Sequence, residues 1–251
     1  MNDTQVNYLL VGPVIKKGFL TAHRYFWHFL LVIFIYAVVF LLSVSVENII
    51  IDILCFLFML YFSTTVSNAL LKLNRGGDLK ISNFFIWPKN GFKAIFISII
   101  SVLIICLPIL LLFLIITPFS SIISNPKDPS FISVIFLAWV FVFSYLILGY
   151  LSVCLMFSKI ISLEEGLNPI KSIKKSFKGV RKNKINILAM TLTLVMLTEF
   201  FVILTLGIGI LWAIPTIMVS VSYAYTQIFP LNVASLENKN EIEVQSLEIN
   251  N

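Results

Sequence analysis

The sequence predicts an all-α membrane protein with six transmembrane helices, and three observations lead to that prediction. Hydrophobic residues make up 59% of the 251-residue chain and charged residues only 12%, whereas roughly a quarter of the residues in a typical soluble domain are charged. The hydrophobic residues form long blocks, each near the roughly 20 residues that a helix needs to cross a bilayer. The basic residues lie almost entirely between alternate pairs of blocks, as the positive-inside rule expects of cytoplasmic segments.

The predicted spans follow one another through a single polytopic domain, residues 1–229. They cover residues 26–46, 48–71, 94–117, 131–158, 185–206 and 208–229. Inside lipid, every backbone polar group must find its partner within the segment, so each block is predicted to be an α-helix. Only the tripeptide Gly207-Ile208-Gly209 marks the boundary between the last two blocks. We expect a tight helical hairpin with these glycines at its tip.

The distribution of basic residues predicts the orientation of the spans. Seventeen of the 18 Lys and Arg residues fall on one side, in the leader 1–25, the 72–93 and 159–184 loops and the tail 230–251. Lys127 alone falls on the other side. The rule places the basic side in the cytoplasm, so both termini are predicted to be cytoplasmic. The leader is expected to lie at the membrane interface, and the acidic tail to be disordered.

The 159–184 loop contains a basic amphipathic helix over residues 169–182, with Asn168 as its N-cap and Pro169 at its first position. Its apolar stripe consists of Ile170, Ile173, Phe177 and Val180. The remaining face carries Lys171, Lys174, Lys175, Lys178, Arg181 and Lys182. Such a helix is typical of membrane surfaces, with its stripe at the acyl boundary and its lysines among anionic headgroups. The alternative is that these lysines only enforce topology.

Three similar strings indicate an internal repeat. They are Ile15-Lys16-Lys17-Gly18-Phe19, Pro88-Lys89-Asn90-Gly91-Phe92-Lys93 and Ile173-Lys174-Lys175-Ser176-Phe177-Lys178. Each string precedes a pair of spans, which suggests three parallel units of a basic interfacial segment followed by a helical hairpin.

Polar residues inside the spans are the default candidates for function. Glu199 lies in the fifth span beside Thr191, Thr198 and Thr205, which recur every seven residues. One hypothesis is a proton or cation relay along this line. The other is a protonated carboxyl group that hydrogen bonds to a neighbouring helix, and a single carboxylate without an intramembrane basic partner favours it.

Residues for catalysis, metals or cofactors do not form a recognisable set. The histidines and cysteines are His23, His28, Cys55, Cys106 and Cys154. The histidines are five apart, which places them on different helix faces, and the cysteines lack metal-ligand spacing. Glu164-Glu165 resembles the paired glutamates of CAAX-type intramembrane proteases, but the following Arg and the two later histidines of that family are missing. We therefore expect a protein that is not an enzyme and has no cofactor and no nucleic-acid partner.

The last third of the chain contains a distinctive order of motifs. It consists of the run from Gly166-Leu167-Asn168-Pro169 to Lys182, then Leu206-Gly207-Ile208-Gly209-Ile210-Leu211, Pro215 and Tyr223-Ala224-Tyr225. In this order and spacing the chain resembles the YciC-like family of six-span bacterial inner-membrane proteins. That family is related in pattern to the membrane domain of some glycerophosphodiester phosphodiesterases. The resemblance implies a bacterial cytoplasmic membrane and supplies no site residues.

Two functions fit these observations. The first is an accessory or envelope-maintenance protein that acts through contacts with lipid or protein. The alternative is a small transporter or channel with Glu199 in a polar path. They differ in that a transporter requires a hydrated path to Glu199.

Overall fold

A computed structural model describes residues 8–123 and 131–230, and every regular element within these ranges is helical. The helices are α1 (Val11–Arg24), α2 (Phe26–Ser45), α3 (Ile49–Asn74), α4 (Gly91–Ile123), α5 (Phe131–Glu165), α6 (Pro169–Lys182), α7 (Lys184–Leu204) and α8 (Ile210–Ile228), with a short 3-10 helix at Ile81–Phe84. The predicted tail beyond Pro230, and Lys127 in the predicted external loop, lie outside the described residues.

Five helices in the described part of the chain are long and apolar enough to cross a membrane, namely α2, α3, α4, α5 and α7. The prediction of an all-α membrane protein is thereby confirmed. Most helix bounds lie within three residues of the predicted ones. The exceptions are in the second hairpin, where α4 runs to Ile123 and α5 continues past residue 158 to Glu165. The sixth predicted span corresponds to α8, which does not belong to these five.

Helices α2 and α3 form an antiparallel hairpin. The Asn48 side chain accepts a hydrogen bond from the Ile50 N–H at 2.9 Å and so caps the start of α3. Tyr36 packs edge-on against Phe62 with ring centroids 5.1 Å apart. Phe26 lies ten residues before Tyr36, which is about 15 Å of helix. Because the two helices are antiparallel, Phe26 is level with the part of α3 ten residues after Phe62, which is the last turn of α3.

The α4–α5 hairpin is anchored beside that end of α3. Asn90, just before α4, donates a hydrogen bond to the carbonyl of Leu163 near the end of α5, at 3.1 Å. Gly166 ends α5 with φ +66°, a left-handed conformation that favours glycine. We call the part of the molecule where α2 and α4 begin and α3 and α5 end the basic end, because Arg75 and α6 lie there.

Helix α8 crosses the basic end instead of running along the α2–α3 hairpin. Trp212, near its start, stacks on Phe26 with ring centroids 4.3 Å apart. Phe229, directly after it, accepts a hydrogen bond from Arg75 at 2.9 Å. Phe26 and Arg75 both lie at the basic end, yet about 25 Å of helix separates Trp212 from Phe229. The helical state predicted for 208–229 is correct, and the predicted count of six membrane crossings is not confirmed by this arrangement.

Helix α1 packs antiparallel against α8. The Leu10 N–H donates to the Gln227 side chain at 3.2 Å, near the end of α8. Midway along the contact, Gly18 lies so close to α8 that a Cβ there would be 1.9 Å from Ser220 Oγ. The predicted leader therefore contains a helix that is packed along the protein. Small residues on both helices allow this close approach, as is common between membrane helices.

Helix α7 lies beside α1. At its start, the Asn183 side chain accepts a hydrogen bond from the Leu9 N–H at 3.0 Å. Toward its end, Phe201 stacks on Phe19 with ring centroids 6.2 Å apart. By length and composition, α7 is a candidate span. Its contacts with α1 place it in one layer with α1 and α8.

Two of the three similar strings occupy matching places in the fold. In α1, Gly18 contacts α8 at Ser220. In α6, Ser176 occupies the same position of its string and donates a hydrogen bond to the Cys154 carbonyl of α5 at 2.6 Å. Each basic helix therefore packs, through a small residue, on the second helix of a hairpin. The arrangement supports the repeat for the first and third strings.

Candidate functional site

Helix α6 divides into three faces. One face is buried against the rest of the protein and consists of Ser172, Ser176, Gly179 and Val180. The second is apolar and accessible, with Ile170 67% exposed and Ile173 and Phe177 half-buried. The third carries the basic residues, of which Lys171, Lys174, Lys178, Arg181 and Lys182 are exposed. The structure thus holds α6 on the protein by its small residues and leaves both other faces accessible.

This division corrects two details of the predicted amphipathic helix. Val180, predicted as part of the lipid-facing stripe, is fully buried in the protein core. Lys175, predicted to contact headgroups, forms a 2.5 Å ion pair with Glu165 at the end of α5. That pair is 22% and 32% exposed at its two side chains, so it fastens α6 to α5 across the short connection between them.

A polar junction that the sequence did not reveal ties three helix ends together. Arg75 forms a bidentate ion pair with Glu164, at 2.8 and 3.0 Å. It also donates to the carbonyl of Phe229 at 2.9 Å, and the Tyr225 hydroxyl donates to the second Glu164 oxygen at 2.5 Å. Such charge-assisted bonds, when bidentate, are the strong and directional ones. We call these four residues the Arg75 junction.

Sequence reasoning missed the Arg75 junction because each partner had a simpler interpretation. In the sequence, Arg75 is one of many basic residues that set topology, and Glu164 belongs to a glutamate pair that resembles a protease motif. The spans preceding Arg75 and Glu164 end on the same predicted side, which was a signal that the two residues lie at one level. Their pairing depends on how α3 packs against α5, and the spacing of residues in the sequence does not show this packing.

Lys159 is a second correction at the basic end. The sequence assigned it to the basic loop, but α5 continues past it and its side chain is buried, with 9% exposure. The ammonium donates a hydrogen bond to Ser63 Oγ of α3 at 2.8 Å. Lys159 therefore links α5 to α3 inside the protein and does not contribute to the surface charge.

The predicted intramembrane polar line does not form a path in the described structure. Glu199 is exposed, about 140° around α7 from the buried Leu194. No other described residue forms a hydrogen bond or ion pair with it, so the expected bond to a facing helix is not present. Glu199 lines neither the cavity between α1, α7 and α8 nor the one between α5 and α7.

The hydroxyl groups of the three threonines donate hydrogen bonds to carbonyls of their own helix. Thr191, Thr198 and Thr205 each donate to the carbonyl four residues earlier, at 2.9, 2.8 and 2.6 Å. Thr205 Oγ1 in addition accepts from the Gly209 N–H at 2.6 Å. Thr205 therefore shapes the turn between α7 and α8, and the other two hydroxyl groups are already engaged.

No family model, curated protein or solved structure matches the chain.

Proposed function

We propose that this integral membrane protein works at the cytoplasmic leaflet of a bacterial inner membrane, where its basic end binds anionic headgroups. The observation that carries the proposal is the three-way division of α6. Topology alone requires only the positive charges. Topology does not require an accessible apolar face, such as the one that contains Ile170, beside the basic face. It also does not require a third face that holds the same helix on the protein. That combination suits a helix lying at a membrane surface.

The broader role we propose is that of an accessory or envelope-maintenance protein without catalytic activity. The resemblance of residues 160–229 to the YciC-like family supports a bacterial cytoplasmic membrane. The basic residues of the leader and of the 72–93 and 159–184 loops support a cytoplasmic location of both termini. The position of Glu199 counts against the transporter alternative, since that function needs a hydrated path to this carboxyl group. The described residues instead build ion pairs and close helix contacts at the basic end, which suits a protein that holds a fixed shape against lipid.

Hydrogen exchange of residues 169–182 in the full chain tests the proposal. In nanodiscs with anionic lipid, we expect exchange in α6 to be roughly tenfold slower than in neutral lipid, because each basic residue near an anionic leaflet gains about 1 kcal/mol. High salt should reduce the difference. Changing Lys171, Lys174 and Lys182 together to Gln should remove most of it, because only Lys178 and Arg181 of the exposed basic residues then remain.

The matched control changes the same three lysines to Arg, which keeps the charge. This variant should retain the slower exchange in anionic lipid. Equal exchange in neutral and anionic nanodiscs for the unmodified chain would remove the headgroup-binding part of the proposal.

A further inference from the structure

A cavity of about 450 Å³ lies between α1, α7 and α8. Its volume falls within the range of about 300–1,000 Å³ that is typical of small-molecule sites. The stacked pair Phe19–Phe201 forms part of its wall, and Trp212 lines it from α8. The cavity is therefore a half-open pocket lined by the same three helices that form the layer at the basic end.

The walls of this cavity suit hydrocarbon. Most lining residues are aliphatic or aromatic, as Ile15 of α1 and Leu194 of α7 illustrate. The two lining threonines do not offer free donors, because Thr198 donates to the Leu194 carbonyl and Thr216 to the Trp212 carbonyl. A polar ligand would lose its bonds to water here and find few replacements.

One positive charge borders the cavity. Lys16 is the sole charged residue of the lining, its side chain is exposed, and no described carboxylate pairs with it. The adjacent Lys17 is engaged differently, with its ammonium 3.9 Å from the centre of the Tyr223 ring. An apolar cavity with a single available ammonium at its border complements a molecule that has a hydrocarbon chain and an anionic head.

We propose that this cavity binds one acyl chain of an anionic phospholipid from the surrounding leaflet, with the lipid phosphate at Lys16. The inference uses no residue of α6 and shares with the proposed function only the membrane setting. Its failure would therefore leave headgroup binding by α6 untouched. A phospholipid is the occupant to expect because α7, which forms one wall, also presents exposed Leu188, Leu192 and Met196, so the cavity and a lipid-facing surface belong to the same helix.

The experiment is native mass spectrometry of the full chain taken from bilayers of phosphatidylglycerol and phosphatidylethanolamine. We expect one retained phosphatidylglycerol per chain. Gly12 lines the cavity, and a Cβ there would meet no atom within 4 Å. Gly12→Leu should therefore fill space in the cavity and lower retention at least fivefold, whereas Gly12→Ala should retain the lipid. If Gly12→Leu fails to fold, Leu197→Trp fills the cavity from α7.

The charge is tested by a neighbouring pair of lysines. Lys16→Gln should weaken retention of phosphatidylglycerol about fivefold relative to phosphatidylethanolamine, as expected for one lysine at an anionic surface. Lys17→Gln should leave that ratio unchanged. The proposal is overturned if the unmodified chain retains no lipid or a free fatty acid instead, if filling the cavity has no effect, or if both lysine variants behave alike.

Discussion

The α2–α3 and α7–α8 hairpins look alike in the sequence but lie differently in the structure. Both consist of two apolar segments joined by a short turn. Helices α2 and α3 extend away from the basic end, as the 2.9 Å bond between Ser43 and Asp52 at their far end shows. Helix α8 keeps both of its ends at the basic end, through Phe26 and Arg75.

Burial distinguishes α8 from α2. Only 11% of the residues in the apolar stretch of α2 are buried in the protein, so most of this helix is left for lipid. Helix α8 instead buries small and polar side chains, among them Thr216, Ser220 and Ser222. A helix whose polar residues pack against protein needs neighbours on several sides, and α1 and the ends of α3 and α5 supply them. Apolar length alone therefore does not decide how a helix packs against its neighbours.

The largest effect should come from labelling the two hairpin tips. In a chain whose three cysteines are replaced by Ser, we introduce Glu47→Cys at the α2–α3 tip and Leu206→Cys at the α7–α8 tip. Leu206 is 95% exposed. An impermeant thiol reagent added outside intact cells should label Glu47→Cys and leave Leu206→Cys unlabelled. Equal labelling of both would restore the six-span topology and contradict the arrangement of α8.

Next in size should be the loss of the Arg75 junction, which joins α8 to the α2–α3 hairpin. Arg75→Leu leaves Glu164 without its ion-pair partner in a site where both side chains are less than one-fifth exposed. Breaking such a pair from one side costs about 3 kcal/mol of unfolding free energy. The exposed Lys72→Leu, three residues earlier, should change it by less than about 0.5 kcal/mol.

The measurement is reversible unfolding in mixed micelles. The double variant Arg75→Leu, Glu164→Leu should be less destabilised than the sum of its two single variants, because removing both partners leaves no unpaired charge. Strict additivity would show that the ion pair does not couple α3 to α5.

A smaller effect should follow from widening the α1–α8 contact. Gly18→Val places a branched side chain against Ser220 Oγ and the Thr216 carbonyl, where even a Cβ would lie at 1.9 and 3.0 Å. Overpacking of this kind costs about 2 kcal/mol, measured by the same unfolding assay. Gly149→Val on α5 meets open space and serves as the control. Equal stability of the two variants would show that α1 is not packed closely on α8.

Several elements were predictable because the information for them is local. The helical state of every span follows from the requirement that backbone polar groups be bonded within a segment in lipid. Helix α6 was predicted at its observed bounds, Pro169–Lys182, since an N-cap, a proline and a helical spacing of lysines all lie within one short stretch. Glu199 is a candidate because ionisable residues inside predicted spans are often functional. Its role depends on which helices pack beside it, and that rule does not identify them.

The sequence by itself determined the membrane class, the helices and the concentration of charge at one end, because composition and spacing express these directly. Only the tertiary structure decided that Arg75 pairs with Glu164, that Lys159 is buried, and that α1 packs along α8. These contacts join residues far apart in the chain, as Leu10 and Gln227 illustrate. They depend on which small and polar side chains fit together, and the sequence of one helix does not identify the helix that will pack against it.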